Sequence, residues 1–327
     1  MDAEQLDQMI HGYRPAQVCL TALRLGLFDV LAESACTVPD LARRLATDER
    51  GMRILCNALA GLGILLKDED HSYRNAAVAE EVILPDSPLS KRTLYLHSAR
   101  QMARWQGLFD CVRLGRPTPE EAVDPRLTSD PKAFAAAMDE LARAKAGTLA
   151  EALDLSGVVS MLDVGGGPGT YAIELARRHT DLRGVVLERS ETAAVAEEQI
   201  AAAGLEERLT ARSGDAFYDD LGGPYDLVLV SNLIHIYSSA DNRALVARCA
   251  GALAPGGRLA VKDLLLDPGG TTPVSAALFA VNMLVSTEAG DCYTVGQVAE
   301  WLLEAGLTPE PVIDLDGRSR VLVGRRH

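Results

Sequence analysis

The chain has little positive charge for its length. Against 46 Asp and Glu it carries 32 Lys and Arg, a formal net charge of −14 over 327 residues. That balance argues against nucleic acid or an anionic membrane surface as a partner. No apolar run approaches the ~20 residues of a transmembrane helix. The opening Met1-Asp2-Ala3-Glu4 lacks the basic start of a secretory signal. The six cysteines (19, 36, 56, 111, 249 and 292) are scattered, without C-x-x-C or metal spacing. A disulfide framework and a metal site are therefore not expected, and reduced thiols in a cytoplasmic protein are. Internal repeats and low-complexity segments are absent. The length exceeds that of a typical single domain, so two domains are the prior.

What the chain does have is a glycine-rich turn, Met161-Leu162-Asp163-Val164-Gly165-Gly166-Gly167-Pro168-Gly169-Thr170. An apolar strand ends near a carboxylate, breaks into glycine, and restarts as a helix through Tyr171-Ala172-Ile173-Glu174-Leu175-Ala176. Such a turn lets a cofactor approach the backbone closely and tolerates positive φ. Gly167-Pro168-Gly169-Thr170-Tyr171-Ala172 also satisfies the loose dinucleotide pattern G-x-G-x-x-G/A, so the glycines alone discriminate little. Asp163 discriminates more: its charge would repel a pyrophosphate. S-adenosylmethionine has no phosphate and carries a positive sulfonium and amino group, which an acidic loop suits.

Further acids follow at intervals. Gly184-Val185-Val186-Leu187-Glu188 reads as a second strand whose last residue, 25 positions after Asp163, can accept bonds from ribose hydroxyls. Arg212-Ser213-Gly214-Asp215-Ala216-Phe217 ends a third strand and places Asp215 for an adenine amino group. Three acids at the carboxyl ends of consecutive strands lie where open α/β sheets bind ligands. The continuous apolar run of 225–232 predicts a buried central strand. A helix over 241–254, stopped by Pro255-Gly256-Gly257, a strand over 258–263, a helix over 295–305, and strands at 311–314 and 319–324 complete a doubly wound sheet.

The first third is helical. Val18, Leu20, Leu23, Leu27 and Leu31 recur along 16–31, with Gly26 a point where the helix can end and restart. Helices follow over 37–45, with Pro39 in the first turn, and over 48–62. Ile64-Leu65-Leu66-Lys67 and Ser72-Tyr73-Arg74-Asn75 read as a hairpin. Helix, helix and hairpin in this order make a winged helix, which raises DNA binding. Residues 1–90 hold 14 Asp and Glu against 8 Lys and Arg, and the wing tip is Asp68-Glu69-Asp70. An acidic wing is repelled by phosphate. Leu6, Met9 and Ile10 add apolar surface that suits a dimer contact better.

The chain resembles the class I S-adenosylmethionine-dependent O-methyltransferases of the caffeate, acetylserotonin and polyketide-tailoring type. The resemblance rests on Leu162-Asp163-Val164-Gly165-Gly166-Gly167-Pro168-Gly169, Gly214-Asp215-Ala216-Phe217, Ser231-Asn232-Leu233-Ile234-His235, Leu253-Ala254-Pro255-Gly256-Gly257, Asn282-Met283-Leu284-Val285 and Ala289-Gly290-Asp291-Cys292-Tyr293-Thr294. It implies a Rossmann-like catalytic domain (156–327), a mostly helical winged-helix domain for homodimerisation (1–88) and a helical connector (89–155) contributing to the substrate pocket. The implied cofactor is S-adenosylmethionine, without metal. Its implied contacts are Asp163, Gly165, Gly167, Gly169, Glu188, Arg189, Gly214, Asp215, Ala216, Phe217, Ser231 and Asn232.

The same resemblance makes His235 the general base toward the acceptor hydroxyl, a role that an imidazole titrating near ~6.5 can fill. Asp263 matches an acid that orients it, and Glu288 and Asp291 both remain open as a second partner. The plant-type His-Asp-Trp is His235-Ile236-Tyr237 here, and Ser231 replaces a frequent lysine. Phe134 and Met138, one turn apart, and Asn282 with Met283 match positions that line the acceptor site, with ordinary helix packing as the competing reading for the first pair. The expected reaction is methyl transfer to a hydroxyl of a small aromatic or polycyclic metabolite. Nitrogen or carbon methylation on the same fold is the alternative. A ligand-sensing DNA-binding regulator is disfavoured by the acidic wing, and a nicotinamide-dependent oxidoreductase by Asp163.

Overall fold

A left-handed glycine divides the first helical run. In the computed structural model, which describes residues 1–118 and 131–327 (backbone alone at 131–134 and 144), α1 (Ala3–His11) and α2 (Tyr13–Leu25) precede Gly26 at φ 75°, and α3 (Leu27–Glu33) follows it. A residue with a Cβ is strained at that φ, so the helix breaks where the glycine stands. Pro39 opens α4 (Val38–Arg44). Asp48 caps α5 (Glu49–Gly61), accepting the Gly51 amide at 2.9 Å. The hairpin follows as β1 (Leu65–Lys67) and β2 (Tyr73–Asn75), then α6 (Ala77–Val82). Leu27, Phe28, Leu41, Met52, Leu59 and Tyr73 form the core of this first unit, Met1–Ala99. By contrast α1 buries none of its residues, and Leu6, Met9 and Ile10 lie exposed.

The second unit, Arg100–His327, is built on a sheet. The chain enters it along α7 (Arg92–Trp105) and continues through α8 (Leu108–Leu114) and α9 (Pro131–Ala152). Then β3 (Ser160–Val164), α10 (Thr170–Arg178), β4 (Arg183–Glu188), α11 (Ser190–Ala202) and β5 (Leu209–Ser213) alternate. They are followed by β6 (Tyr225–Ser231), α12 (Ser239–Gly251), β7 (Leu253–Asp263), α13 (Val274–Ser286) and α14 (Val295–Glu304). Short β8 (Thr308–Pro309) and β9 (Ile313–Asp314) precede β10 (Arg320–Arg325). Strand order is β5-β4-β3-β6-β7-β10-β8, with β9 also on β10. The strands from β5 to β7 are parallel and β10 is antiparallel to β7. Among the described residues no single helix is long and apolar enough to cross a membrane.

Alternation decides which side chains cover which face. Met161, Val186, Leu227, Leu229 and Ala260 pack under α9, α10 and α11. Leu162, Leu187, Val228, Val230 and Val261 pack under α12 and α14. A strand covered on both faces needs apolar residues at every position, which is why β6 reads as an unbroken run. The chain runs outward from β3 to β4 and β5, then returns from β5 to β6 on the other side of β3, so a crevice opens at the carboxyl end of β3.

The largest boundary difference from the sequence reading lies between α12 and β7. Pro255-Gly256-Gly257 does not stop a helix running to 254; α12 ends at Gly251, and β7 already begins at Leu253. The Tyr225 amide donates to the Ala252 carbonyl at 2.9 Å, and Tyr225 pairs with Leu253 before the register jumps to Leu227 with Arg258. The Pro-Gly-Gly segment is thus a bulge within the strand.

Asp226 fastens β6 to the start of β3. Its Oδ2 accepts the Val159 amide (3.0 Å), the Ser160 amide (2.9 Å) and the Ser160 hydroxyl (2.8 Å). Burial pushes its carboxyl up, but the Val159 and Ser160 donors outweigh this and hold it below the ordinary 3.8. Its stabilising effect is therefore present above that value and lost as pH falls through the lower folded one. Asp226→Ala should cost about 1.5–3 kcal/mol in urea unfolding at pH 7, with the gap to the parent narrowing below pH 3.8. A gap that stayed constant into acid would contradict this role.

Candidate active site

The glycine turn leaves β3 at the crevice. Gly165, Gly167 and Gly169 have φ of 65°, 57° and 80°, which side chains rarely adopt. Gly166 is required for a different reason: a Cβ there would lie 2.6 Å from Asp163 Oδ2 and 2.8 Å from Val186. Glu188, at the end of β4, braces the turn, since its Oε2 accepts the Gly167 amide at 3.0 Å and its Oε1 the Arg189 amide at 2.8 Å. The exposed Arg189 side chain lies beside Tyr237. The Gly214 amide donates to the Glu188 carbonyl at 3.0 Å, and Asp215 Oδ1 accepts the Phe217 amide at 2.8 Å. Half-buried Ala216 and Phe217 pack on the α12 side of the sheet, and Phe217 meets the Tyr237 ring edge-on at 4.7 Å. Asp163, Glu188 and Asp215 thus follow the ends of β3, β4 and β5 in order.

Asp163 is fully buried, and among the described residues neither carboxylate oxygen makes a well-formed hydrogen bond. Burial first, and the Glu188 charge second, push its carboxyl up to about 7, opposed only by the Ala172 amide. A buried carboxylate without a partner is costly. A cation over the turn would supply the missing charge, and a phosphate would add a third negative group. The turn therefore fits a phosphate-free, positively charged ligand.

The second half of the site leaves β6. Asn232 turns the chain at φ 53°, and a single 3₁₀ turn, Ile234–Ile236, carries His235. Asn242 of α12 pins that turn, its Nδ2 donating to the Ile234 carbonyl at 2.8 Å. His235 Nδ1 lies 2.8 Å and 3.0 Å from the two oxygens of Asp263, the last residue of β7. Burial pushes the Asp263 carboxyl up, yet His235, the Leu264 amide and Lys262 together hold it below its ordinary range. An ionised carboxylate can only accept, so Nδ1 carries the hydrogen, and in the neutral ring Nε2 is the nitrogen with the lone pair. Phe279 of α13 packs edge-on against the ring at 4.9 Å.

Of the acids left open beside His235, the ring is bound to Asp263. Glu288 and Asp291 are exposed, and Asp291 Oδ1 accepts the Cys292 amide at 2.7 Å. Among the described residues neither shares a hydrogen bond with His235. Asn282 and Met283 follow Phe279 by one turn of α13 and are buried. Trp105 Nε1 donates to Asn282 Oδ1 at 3.0 Å, so Trp105 is tied to this helix rather than simply packed. Met138 is half-buried on α9; the Phe134 side chain lies outside the described residues. Ser231 Oγ is buried and, among the described residues, makes no well-formed hydrogen bond, though it lies near the Tyr171 hydroxyl. Sequence reasoning missed Lys262 and Tyr171: the Lys262 ammonium, 1% exposed, donates to Tyr171 Oη at 3.1 Å and to Asn232 Oδ1 at 2.7 Å. The available signal was a lysine ending the inward side of an apolar strand.

Comparison with known proteins shows the family of the chain. Residues 121–308 match the O-methyltransferase domain model, and residues 7–83 match the O-methyltransferase dimerisation domain model. The chain is 36% identical to the 3-hydroxy-5-methyl-1-naphthoate 3-O-methyltransferase of Streptomyces sahachiroi, over 92% of this chain and 88% of that protein. It is 29% identical to the L-tyrosine C(3)-methyltransferase of Streptomyces lavendulae, over 97% of this chain and 90% of that one. The structure of human N-acetylserotonin methyltransferase in complex with S-adenosylmethionine superposes with a TM-score of 0.85 at 25% identity, covering 100% of this chain and 98% of that chain. With its glycine turn, acid series and two matched domains, the chain belongs to the S-adenosylmethionine-dependent O-methyltransferase family.

Proposed function

We propose that the protein methylates a hydroxyl group of a small aromatic or polycyclic metabolite, with His235 as general base. The observation that carries this reading is the pair of bonds from His235 Nδ1 to a buried, ionised Asp263. Residues 165–169 would hold S-adenosylmethionine, with Glu188, Asp215 and Asp163 the acids available to its ribose, adenine and positive charge, and the cofactor would supply an electrophilic methyl group and leave as S-adenosylhomocysteine. His235 takes the hydroxyl proton on Nε2, and Asp263 stabilises the imidazolium that results. Phe279, edge-on to His235, and the neighbouring Asn282 and Met283 give the acceptor a largely apolar wall. Holding the acceptor oxygen in line with the methyl supplies the greater part of the rate.

In this reading the first unit carries a homodimer contact. Its support is the uncovered apolar row of α1 within the dimerisation-domain match. The acidic tip 68–70 opposes a nucleic-acid role, and six free cysteines suit a reducing cytoplasm.

General-base contributions are typically about 10²–10⁴-fold, so His235→Ala should lower kcat by that order and leave S-adenosylhomocysteine affinity nearly unchanged in calorimetry. An unimpaired variant would shift the reading to nitrogen or carbon methylation, with His235 a packing residue. Light scattering at micromolar concentration should show a dimer that Ile10→Asp converts to monomer. A monomeric parent protein would refute the assembly.

A further inference from the structure

Strand β7 ends on two charged residues that face opposite sides of the sheet. Asp263 takes the His235 ring. Its neighbour Lys262 has no part in the chemistry proposed above, yet it is one of the largest fully buried side chains. Among the described residues no carboxylate forms an ion pair with it. Its Nζ is held by neutral groups alone: Asn232 Oδ1 at 2.7 Å, Tyr171 Oη at 3.1 Å and the face of the Tyr171 ring, 5.2 Å away. Burying an ammonium this way is unfavourable and brings its pKa down to about 8, against the pull of Asp263 and Asp316.

What the lysine gains is a hold on Asn232. That residue has φ 53°, a left-handed conformation that asparagine tolerates better than other side chains but still holds at some cost. Lys262 grips it at both ends. Its carbonyl accepts the Asn232 amide at 2.8 Å, and its ammonium donates to the Asn232 side chain. Asn232 is the hinge between β6 and the turn bearing His235. The next residue, Leu233, packs where a Cβ on Gly165 would come within 2.8 Å. Tyr171, the second anchor, stands in the first turn of α10, directly after the glycine turn.

We propose that Lys262 is a positioning residue: by clamping Asn232 in its left-handed conformation against Tyr171, it sets the 233–236 turn between the glycine turn and Asp263. The effect on turnover rests on His235 being the base; the clamp itself does not.

Hydrogen exchange across 232–237, kcat, the KM for S-adenosylmethionine and Tm are measured for Lys262→Met, Asn232→Gly and the double variant. Methionine removes a buried charge, so Tm should hold or rise. Freeing a hinge of this kind should speed exchange over 232–237 about tenfold or more. The expected loss in kcat is also about tenfold, with KM within about threefold. Asn232→Gly loosens the hinge with the lysine still present, its ammonium left with Tyr171 Oη, and serves as the independent arm should the methionine variant not accumulate. In the glycine background the further kcat loss from Lys262→Met should shrink to within about threefold.

Unchanged exchange in both single variants overturns the clamp. An undiminished loss in the glycine background overturns Asn232 as its route. A raised KM with kcat retained overturns the positioning role in favour of a direct donor contact. Faster exchange with unchanged kcat leaves the clamp standing but removes its catalytic consequence, and counts against His235 as base.

Discussion

The register between β6 and β7 is the constraint on which the site depends. Ser231 pairs with Lys262, so the next residue of β7, Asp263, arrives beside the turn that carries His235. A slip of one residue would exchange the faces of Lys262 and Asp263, placing the ammonium against the imidazole and the carboxylate against Asn232. Apolar alternation on both faces prevents the slip, because it would expose Val261 and Ala260 to the wrong layers. The Pro255-Gly256-Gly257 bulge takes up the mismatch at the far end of the strand, away from the chemistry.

Charge at this end of the sheet is arranged against stability. Asp163 is buried with no charged partner among the described residues, Lys262 is buried with neutral partners, and Asp263 is buried against His235. Hydrophobic replacements for such groups are often neutral or stabilising, so their presence argues for tasks other than holding the fold. Asp163 faces the glycine turn and Asp263 holds the imidazole. Between them, Lys262 and Tyr171 link the helix after the glycine turn to the hinge before His235.

Much of this was legible in the chain. Gly165, Gly167 and Gly169 announce positive φ, and Asp163, Glu188 and Asp215 recur at strand ends, because close backbone approach and polar recognition leave few residue choices. Gly26 marks the break between α2 and α3 for the same reason. Other features depend on partners remote in sequence. Pro255-Gly256-Gly257 looks like a helix stop, and only its pairing with Tyr225 makes it a bulge. Glu288 and Asp291 looked equivalent until exposure separated them from Asp263. Trp105 gives no local sign of its partner, Asn282, which is 177 residues away. Lys262 is hidden by its apolar neighbours Leu259, Ala260 and Val261, since a lysine at a strand end ordinarily reaches solvent.

The central claim, that His235 Nε2 removes the acceptor proton, is tested most directly by varying the acidity of the acceptor. The measurement is kcat of the parent and of His235→Ala across phenols of graded pKa at fixed pH. The account predicts a ratio near 10²–10⁴ for weakly acidic acceptors, falling toward one as the phenol ionises unaided. A ratio independent of acceptor acidity would contradict it.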